Sequence, residues 1–316
     1  MKPIVELRNV TFAYSNGVKV LNDFSLQIPR GSIYGFLGPN GSGKSTTIRI
    51  AMGLLDPQAG DVTLFGQRYQ QSRISILSNI GSLIDSPTFY EHLSATKNLE
   101  LIRLAHGLPQ ASVAEALELV GLSTTGKQKV SQFSLGMKQR LALAMAMMPK
   151  PELLVLDEPS NGLDPNGIIE VRELLVRINQ QYGTTIFVSS HLLSEVEKLC
   201  THISIINRGK TVFEGKVEQL TERIAVEKRV WFTVDAIDKV EQLLKKSYQL
   251  QRNGSLKIGV EYNTDKDIAL LNQLLVSHNV EVYGIYKEHQ TLEEMYIKLF
   301  ENTDNQQEHS FQKQSV

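Results

Sequence analysis

The 316-residue sequence has a single cysteine, Cys200, which excludes an internal disulfide and any cysteine-based metal cluster. That thiol reads as a core residue. Long apolar runs are missing as well: the longest, residues 141–148, is eight, against about 18 for a membrane-spanning helix. Residues 1–10 carry Glu6 and Arg8 among their apolar positions and lack the apolar core of a signal peptide. There is no charge excess of either sign. Thirty-three basic and 34 acidic residues leave −1, which gives no electrostatic footprint for nucleic acid or an anionic membrane. These absences describe a cytosolic chain that does not cross a bilayer and reaches a membrane only through a partner. The length suggests about two domains, each able to bury a core.

What is present begins with Gly38-Pro39-Asn40-Gly41-Ser42-Gly43-Lys44-Ser45-Thr46. The apolar run 33–37 before it reads as a buried strand, and a helical pattern starts directly behind it. Such a loop must wrap successive backbone N–H groups round an anion, which calls for glycine where a side chain would block the approach or where φ is positive. The helix N-terminus adds partial positive charge. Lys44 would reach the outer phosphates of a nucleotide as a point charge, and the Ser45 hydroxyl would sit on Mg²⁺.

Upstream, residues 4–14 and 18–28 read as two strands of an antiparallel layer. Tyr14 ends the first, where its ring is either a stacking platform for adenine or a strand-end core aromatic. Downstream, residues 61–65 and 80–84 are short strands, and residues 89–148 turn helical. Ser94 precedes one amphipathic stretch, Ser112 and Glu115 form a capping box before a second, and Ser134 is the N-cap of a third.

Leu153-Leu154-Val155-Leu156-Asp157-Glu158 is an apolar strand that ends in two carboxylates, at the end where ligands of open α/β sheets bind. Asp157 would hold Mg²⁺ and Glu158 would orient or deprotonate a water. Adjacent carboxylates there are costly without a cation. A lone histidine is more often structural, but His191 directly follows the strand 184–190, where an imidazole could bond a γ-phosphate and an attacking water. Residues 203–207 and 211–214 form a hairpin. A charged stretch, 218–228, then leads into a second pattern, βαββαβ, which suits a ferredoxin-like domain. A further helix is expected over 291–300 and a disordered, Gln-rich tail over 302–316.

Taken together these residues resemble the ATP-binding subunits of ABC transporters, over about residues 4–215. The Walker A loop is residues 38–45, the signature loop Ser134-Leu135-Gly136-Met137-Lys138, the Walker B strand residues 153–157 with Glu158 behind it, the D-loop residues 160–164, and the switch histidine His191. Tyr14 matches the adenine-stacking aromatic of the family. The signature departs from Leu-Ser-Gly-Gly-Gln, since Phe133-Ser134-Leu135-Gly136-Met137 keeps only the serine and second glycine. Asp85 stands where the family has its Q-loop glutamine, and its carboxylate could still face Mg²⁺. Both departures resemble the branch that exports bacitracin and lantibiotics, as does the closing segment 291–296.

The resemblance implies an α/β P-loop NTPase core with an antiparallel β layer and a helical subdomain at about residues 88–150, together spanning 1–218. A small α+β accessory domain follows over 219–301. Implied cofactors are ATP and Mg²⁺, the metal on Ser45, Asp85 and Asp157. Nucleotide would contact Tyr14, residues 38–46 of one chain, and Ser134 and Gly136 of a second. Implied partners are integral membrane permease subunits and a second ATP-binding subunit, identical or not, with the chain peripheral on the inner face of the membrane and no nucleic acid bound. The expected function is ATP hydrolysis, with Glu158 and His191 catalytic, to energise a permease exporting a peptide antibiotic or drug and so conferring resistance or immunity. The alternative is a non-transport ABC ATPase acting on nucleic acid or the ribosome.

Overall fold

The computed structural model describes residues 2–15, 17–85, 87–224 and 229–288, with backbone alone for 221–224. The chain divides into two compact units, Met1–Val217 and Glu218–Val316.

In the first unit, β1 (Val5–Ala13) and β2 (Lys19–Ile28) alternate buried and exposed positions, the pattern of a sheet with one face on the core. Then come β3 (Ile33–Leu37), α1 (Lys44–Ala51), β4 (Ala59–Leu64), β5 (Gln67–Arg68), α2 (Arg73–Leu77) and β6 (Ile80–Leu83). The helical insert is α3 (Ala95–Ala105), α4 (Ala111–Leu119) and α5 (Leu135–Met147). It is followed by β7 (Leu153–Asp157), α6 (Pro165–Tyr182), β8 (Thr185–Ser190), α7 (Leu193–Leu199), β9 (His202–Asn207) and β10 (Lys210–Lys216); α8 (Val217–Ile224) begins at the last residue of this unit and otherwise falls in the second.

Two sheets result. One is antiparallel, in the order β2-β1-β4-β5; the other runs β10-β9-β3-β8-β7-β6 and is parallel except for the β10–β9 hairpin. Every residue of β3 and β8 is buried, as is β7 up to Asp157. This explains the apolar runs of β3 and of β7 up to Asp157: a parallel strand between helices has no solvent face. A single core cluster joins Leu7 and Phe24 of the first sheet to Phe36, Val155 and Phe187 of the second through Ile48 of α1. Each large side chain so buried contributes about 1.5–3 kcal/mol. The phosphate loop is thereby suspended between a buried strand and a buried helix.

Ser94 caps α3 by accepting from the Lys97 N–H at 3.2 Å, and Ser134 caps α5 by accepting from Met137 at 3.2 Å. The capping box expected at Ser112 does not form. Helix α4 starts at Ala111, and Ser112 already lies in its first turn, its N–H on the Pro109 carbonyl at 3.1 Å. Pro109 presets the turn and starts the helix ahead of the serine. Helices α2, α7 and α8 were not read from the sequence, and α8 covers part of what had read as a charged linker, residues 218–228. Each is eight residues or shorter and so owes its stability to packing. In α7 that packing is visible: a Cβ on Gly35 of β3 would lie 2.8 Å from the Cys200 sulfur. The lone thiol is buried there.

The second unit contains β11 (Arg229–Val234), α9 (Ile237–Leu244), β12 (Leu250–Asn253), β13 (Lys257–Glu261), α10 (Asp265–Ser277) and β14 (Val282–Lys287). Its sheet order is β12-β13-β11-β14 with every neighbour antiparallel, the split βαβ arrangement. Val230, Phe232, Ile258 and Val260 of the sheet pack on Val240, Leu244, Leu271 and Leu275 of the two helices. Asp267 accepts from the Thr264 and Asn263 N–H groups at 2.8 and 2.9 Å, which holds its carboxyl below the usual range and fixes the start of α10. The expected helix 291–300 and tail 302–316 lie outside the described residues.

Candidate nucleotide-binding and hydrolytic site

The loop between β3 and α1 has no room for side chains at two glycines. A Cβ on Gly38 would fall 2.5 Å from the Ile206 carbonyl oxygen and from Ser42 Oγ. Gly43, the N-cap of α1, has φ 112°, a backbone that L side chains rarely adopt, and offers no capping side chain to the first turn of the helix. Ser42 is buried and its hydroxyl has no hydrogen-bond partner among the described residues. Pro39, Asn40 and Gly41 form the exposed tip, and Ser45 is half-buried. A cradle of this kind, opening on a helix N-terminus, fits a phosphate chain. Lys44 is only 5% exposed, and its ammonium donates to the Gly38 and Pro39 carbonyls at 2.8 and 3.3 Å.

β7 and β8 deliver the acidic and imidazole groups. Glu158, just past the end of β7, adopts φ 49° and aims its carboxylate between two bases. Oε1 lies 3.5 Å from Lys44 Nζ, and Oε2 lies 3.0 Å from His191 Nδ1. Lys44 at the start of α1, and Glu158 and His191 just past the ends of the adjacent strands β7 and β8, therefore meet in one chain of contacts. Ser189, which the sequence reading passed over, joins this group. Its hydroxyl donates to Asp157 Oδ1 at 2.5 Å and accepts from the Glu158 N–H at 2.9 Å. The one available signal was a serine pair closing an otherwise apolar strand.

Tyr14 is 40% exposed, its ring edge-on to Phe12 at 5.0 Å and its hydroxyl 3.2 Å from Thr46 Oγ1. It stands beside α1, with ring area open to solvent. Asp85 behaves differently from Asp157. Its side chain is 65% exposed and engages Arg49 Nη2 at 2.9 and 3.2 Å. Partial burial lowers the Arg49 pKa, but the Asp85 carboxylate and the Tyr14 hydroxyl together outweigh it and hold the guanidinium above its ordinary value. Asp85 is thus paired with α1, and no group of three or more His, Cys, Asp or Glu gathers as a metal cluster among the described residues. Ser45 and Asp157 remain a hard-oxygen donor pair suited to Mg²⁺.

The signature residues Ser134 and Gly136 lie at the start of α5. Ser134 caps α5, and the nearest neighbour a Cβ on Gly136 would meet is Leu163 at 4.0 Å. Gly162 and Leu163 lie in the loop ahead of α6, whose N-cap Asp164 accepts from the Gly167 N–H at 3.0 Å.

A protein-family model described as "ABC transporter" matches residues 21–161. Among curated proteins, the chain is 37% identical over 305 residues to the bacitracin transport ATP-binding protein BcrA of Bacillus licheniformis, covering 95% of this chain and 98% of the relative. It is 39% identical over 215 residues to the lantibiotic transport ATP-binding protein SrtF of Streptococcus pyogenes, covering 68% of this chain and 92% of the relative. A solved dimeric ATP-binding cassette, in a post-hydrolysis state bound to ADP and Pi, superposes with a TM-score of 0.60 at 26% identity. That match covers 67% of this chain and 98% of the other.

Proposed function

The chain belongs to the ATP-binding proteins of ABC transporters, and on that premise we propose that it energises a separate membrane permease that exports a peptide antibiotic or drug. ATP hydrolysis to ADP and phosphate is the activity of the family. The antibiotic class follows from the relatives that match nearly the whole chain, which transport bacitracin by name. The same likeness disfavours a non-transport role on nucleic acid or the ribosome, as does the net charge of −1.

The observation that carries the hydrolytic part is the contact chain Lys44, Glu158, His191 beside the phosphate loop. Residues 38–46 would take the phosphates, with Lys44 releasing its loop carbonyls to reach the outer ones, and Tyr14 would offer its exposed ring to the base. Glu158 would orient a water in line with the γ-phosphorus and accept its proton. With Nδ1 donating to Glu158, a neutral His191 keeps its Nε2 lone pair for that water; turning the ring would present a donor to the phosphate instead. Ser45 and Asp157 would hold Mg²⁺, which neutralises charge on the phosphates. Asp85 could join them only by leaving Arg49.

Ser134 and Gly136 open α5, and the family resemblance gives them a place over the nucleotide of a second subunit, identical or not. Two such sites close on ATP and move the attached permease. No helix among the described residues is long and apolar enough to cross a membrane, so the chain would sit on the cytoplasmic face through that partner. The direct test is purification of the full chain from its own cells. Recovery with a multi-span membrane protein and ATP-dependent antibiotic export in reconstituted vesicles are expected. Recovery with ribosomes, and no such protein, would overturn the reading.

A further inference from the structure

We infer that Ser189 is a positioning residue for hydrolysis, a single hydroxyl that fixes both carboxylates of the site at once; this rests on the roles proposed above for Asp157 and Glu158. β7 and β8 are parallel and in register, and their last paired residues are Asp157 and Ser189. Beyond that pair the ladder has ended, so the Glu158 N–H has no strand carbonyl to donate to. Its acceptor is the Ser189 hydroxyl at 2.9 Å. The hydroxyl has one proton, and that proton goes to Asp157 Oδ1 at 2.5 Å.

The two bonds have complementary effects. Donation to Oδ1 sets the Asp157 rotamer and leaves Oδ2 for a cation. Acceptance from Glu158 holds a backbone at φ 49°, a region a glutamate seldom occupies, and that backbone aims the side chain between Lys44 and His191. Ser189 is fully buried, so water does not compete for either bond. The adjacent Ser190 does other work: its hydroxyl accepts from the Leu192 N–H at 3.0 Å and shapes the turn after His191.

Ser189→Ala removes both bonds without adding volume, Ser189→Val does so at the size and strand preference of threonine, and Ser189→Thr restores the hydroxyl. In the full chain with its permease, Ala and Val are expected to lower the ATP turnover number at least tenfold and keep nucleotide affinity within threefold. By hydrogen exchange, the Glu158 amide should open at least tenfold faster in both. Mn²⁺ binding with a non-hydrolysable ATP analogue, read by electron paramagnetic resonance, should weaken in both. Ser189→Thr should stay near native in every readout. If Val fails to fold, Ala against Thr carries the comparison. Native turnover in Ser189→Ala, or an unchanged Glu158 amide in that variant, overturns the inference. Should Ser189→Ala be native while Glu158→Gln is inactive, only the role of Ser189 falls. Should Glu158→Gln be fully active, the proposed mechanism falls first.

Discussion

Glu158 Oε2 lies 3.0 Å from His191 Nδ1, although the two residues are 33 positions apart and come from different strands. The contact depends on the left-handed backbone of Glu158, a conformation that costs an L residue about 1–2 kcal/mol. With an ordinary strand backbone the carboxylate would leave the line between Lys44 and His191. Strain at that position is therefore coupled to the geometry proposed for hydrolysis.

Lys44 is the second fixed point. Its buried ammonium is satisfied by two loop carbonyls and faces Glu158. Lys44→Ala is expected to abolish the thermal stabilisation by ATP, which for a native chain at 100 times Kd amounts to about 2.7 kcal/mol. A variant that still shows the full ATP-dependent rise in Tm would remove Lys44 from phosphate binding.

Arg49 meets both Asp85 oxygens through the single nitrogen Nη2, a solvent-accessible ion pair without the two-nitrogen fork, and such pairs contribute about 1 kcal/mol or less. Asp85→Ala should accordingly change the Tm of the isolated chain by only a few degrees and leave nucleotide affinity within about threefold. Export by the complete transporter should fall by more than nucleotide affinity does. Equal export by native and variant transporters would separate Asp85 from coupling.

Cys200 is buried against Gly35, and burial pushes its thiol well above the ordinary range, so the thiolate is scarce throughout pH 6–9. Alkylation by iodoacetamide at pH 8 is expected only after denaturation. Rapid labelling of the folded chain would show that α7 opens away from β3.

The sequence was most legible where local pattern and tertiary role coincide. β3, β7 and the middle of β8 are apolar because they are buried on both faces, so Gly38, Asp157 and His191 could be recognised by their place at strand ends. The glycines of the phosphate loop could be read from spacing because sterics leaves no other residue there. Ser189 was not legible, since its role depends on which strand lies beside β7 and in what register, and neither is local information. The Arg49–Asp85 pair was missed for the same reason. At Ser112 a local rule misled, because Pro109 starts α4 earlier than the serine could cap it. Helices α7 and α8 are too short to announce themselves by periodicity.

Activation of water by Glu158 is tested by comparing steady-state ATP turnover and ATP affinity of the native transporter with those of Glu158→Gln. The glutamine keeps size and hydrogen bonding but cannot take a proton. Turnover should fall by about 10²-fold or more, the scale of general-base catalysis, with ATP bound at least as tightly as in the native protein. Turnover within twofold of native, at equal ATP affinity, would contradict the account.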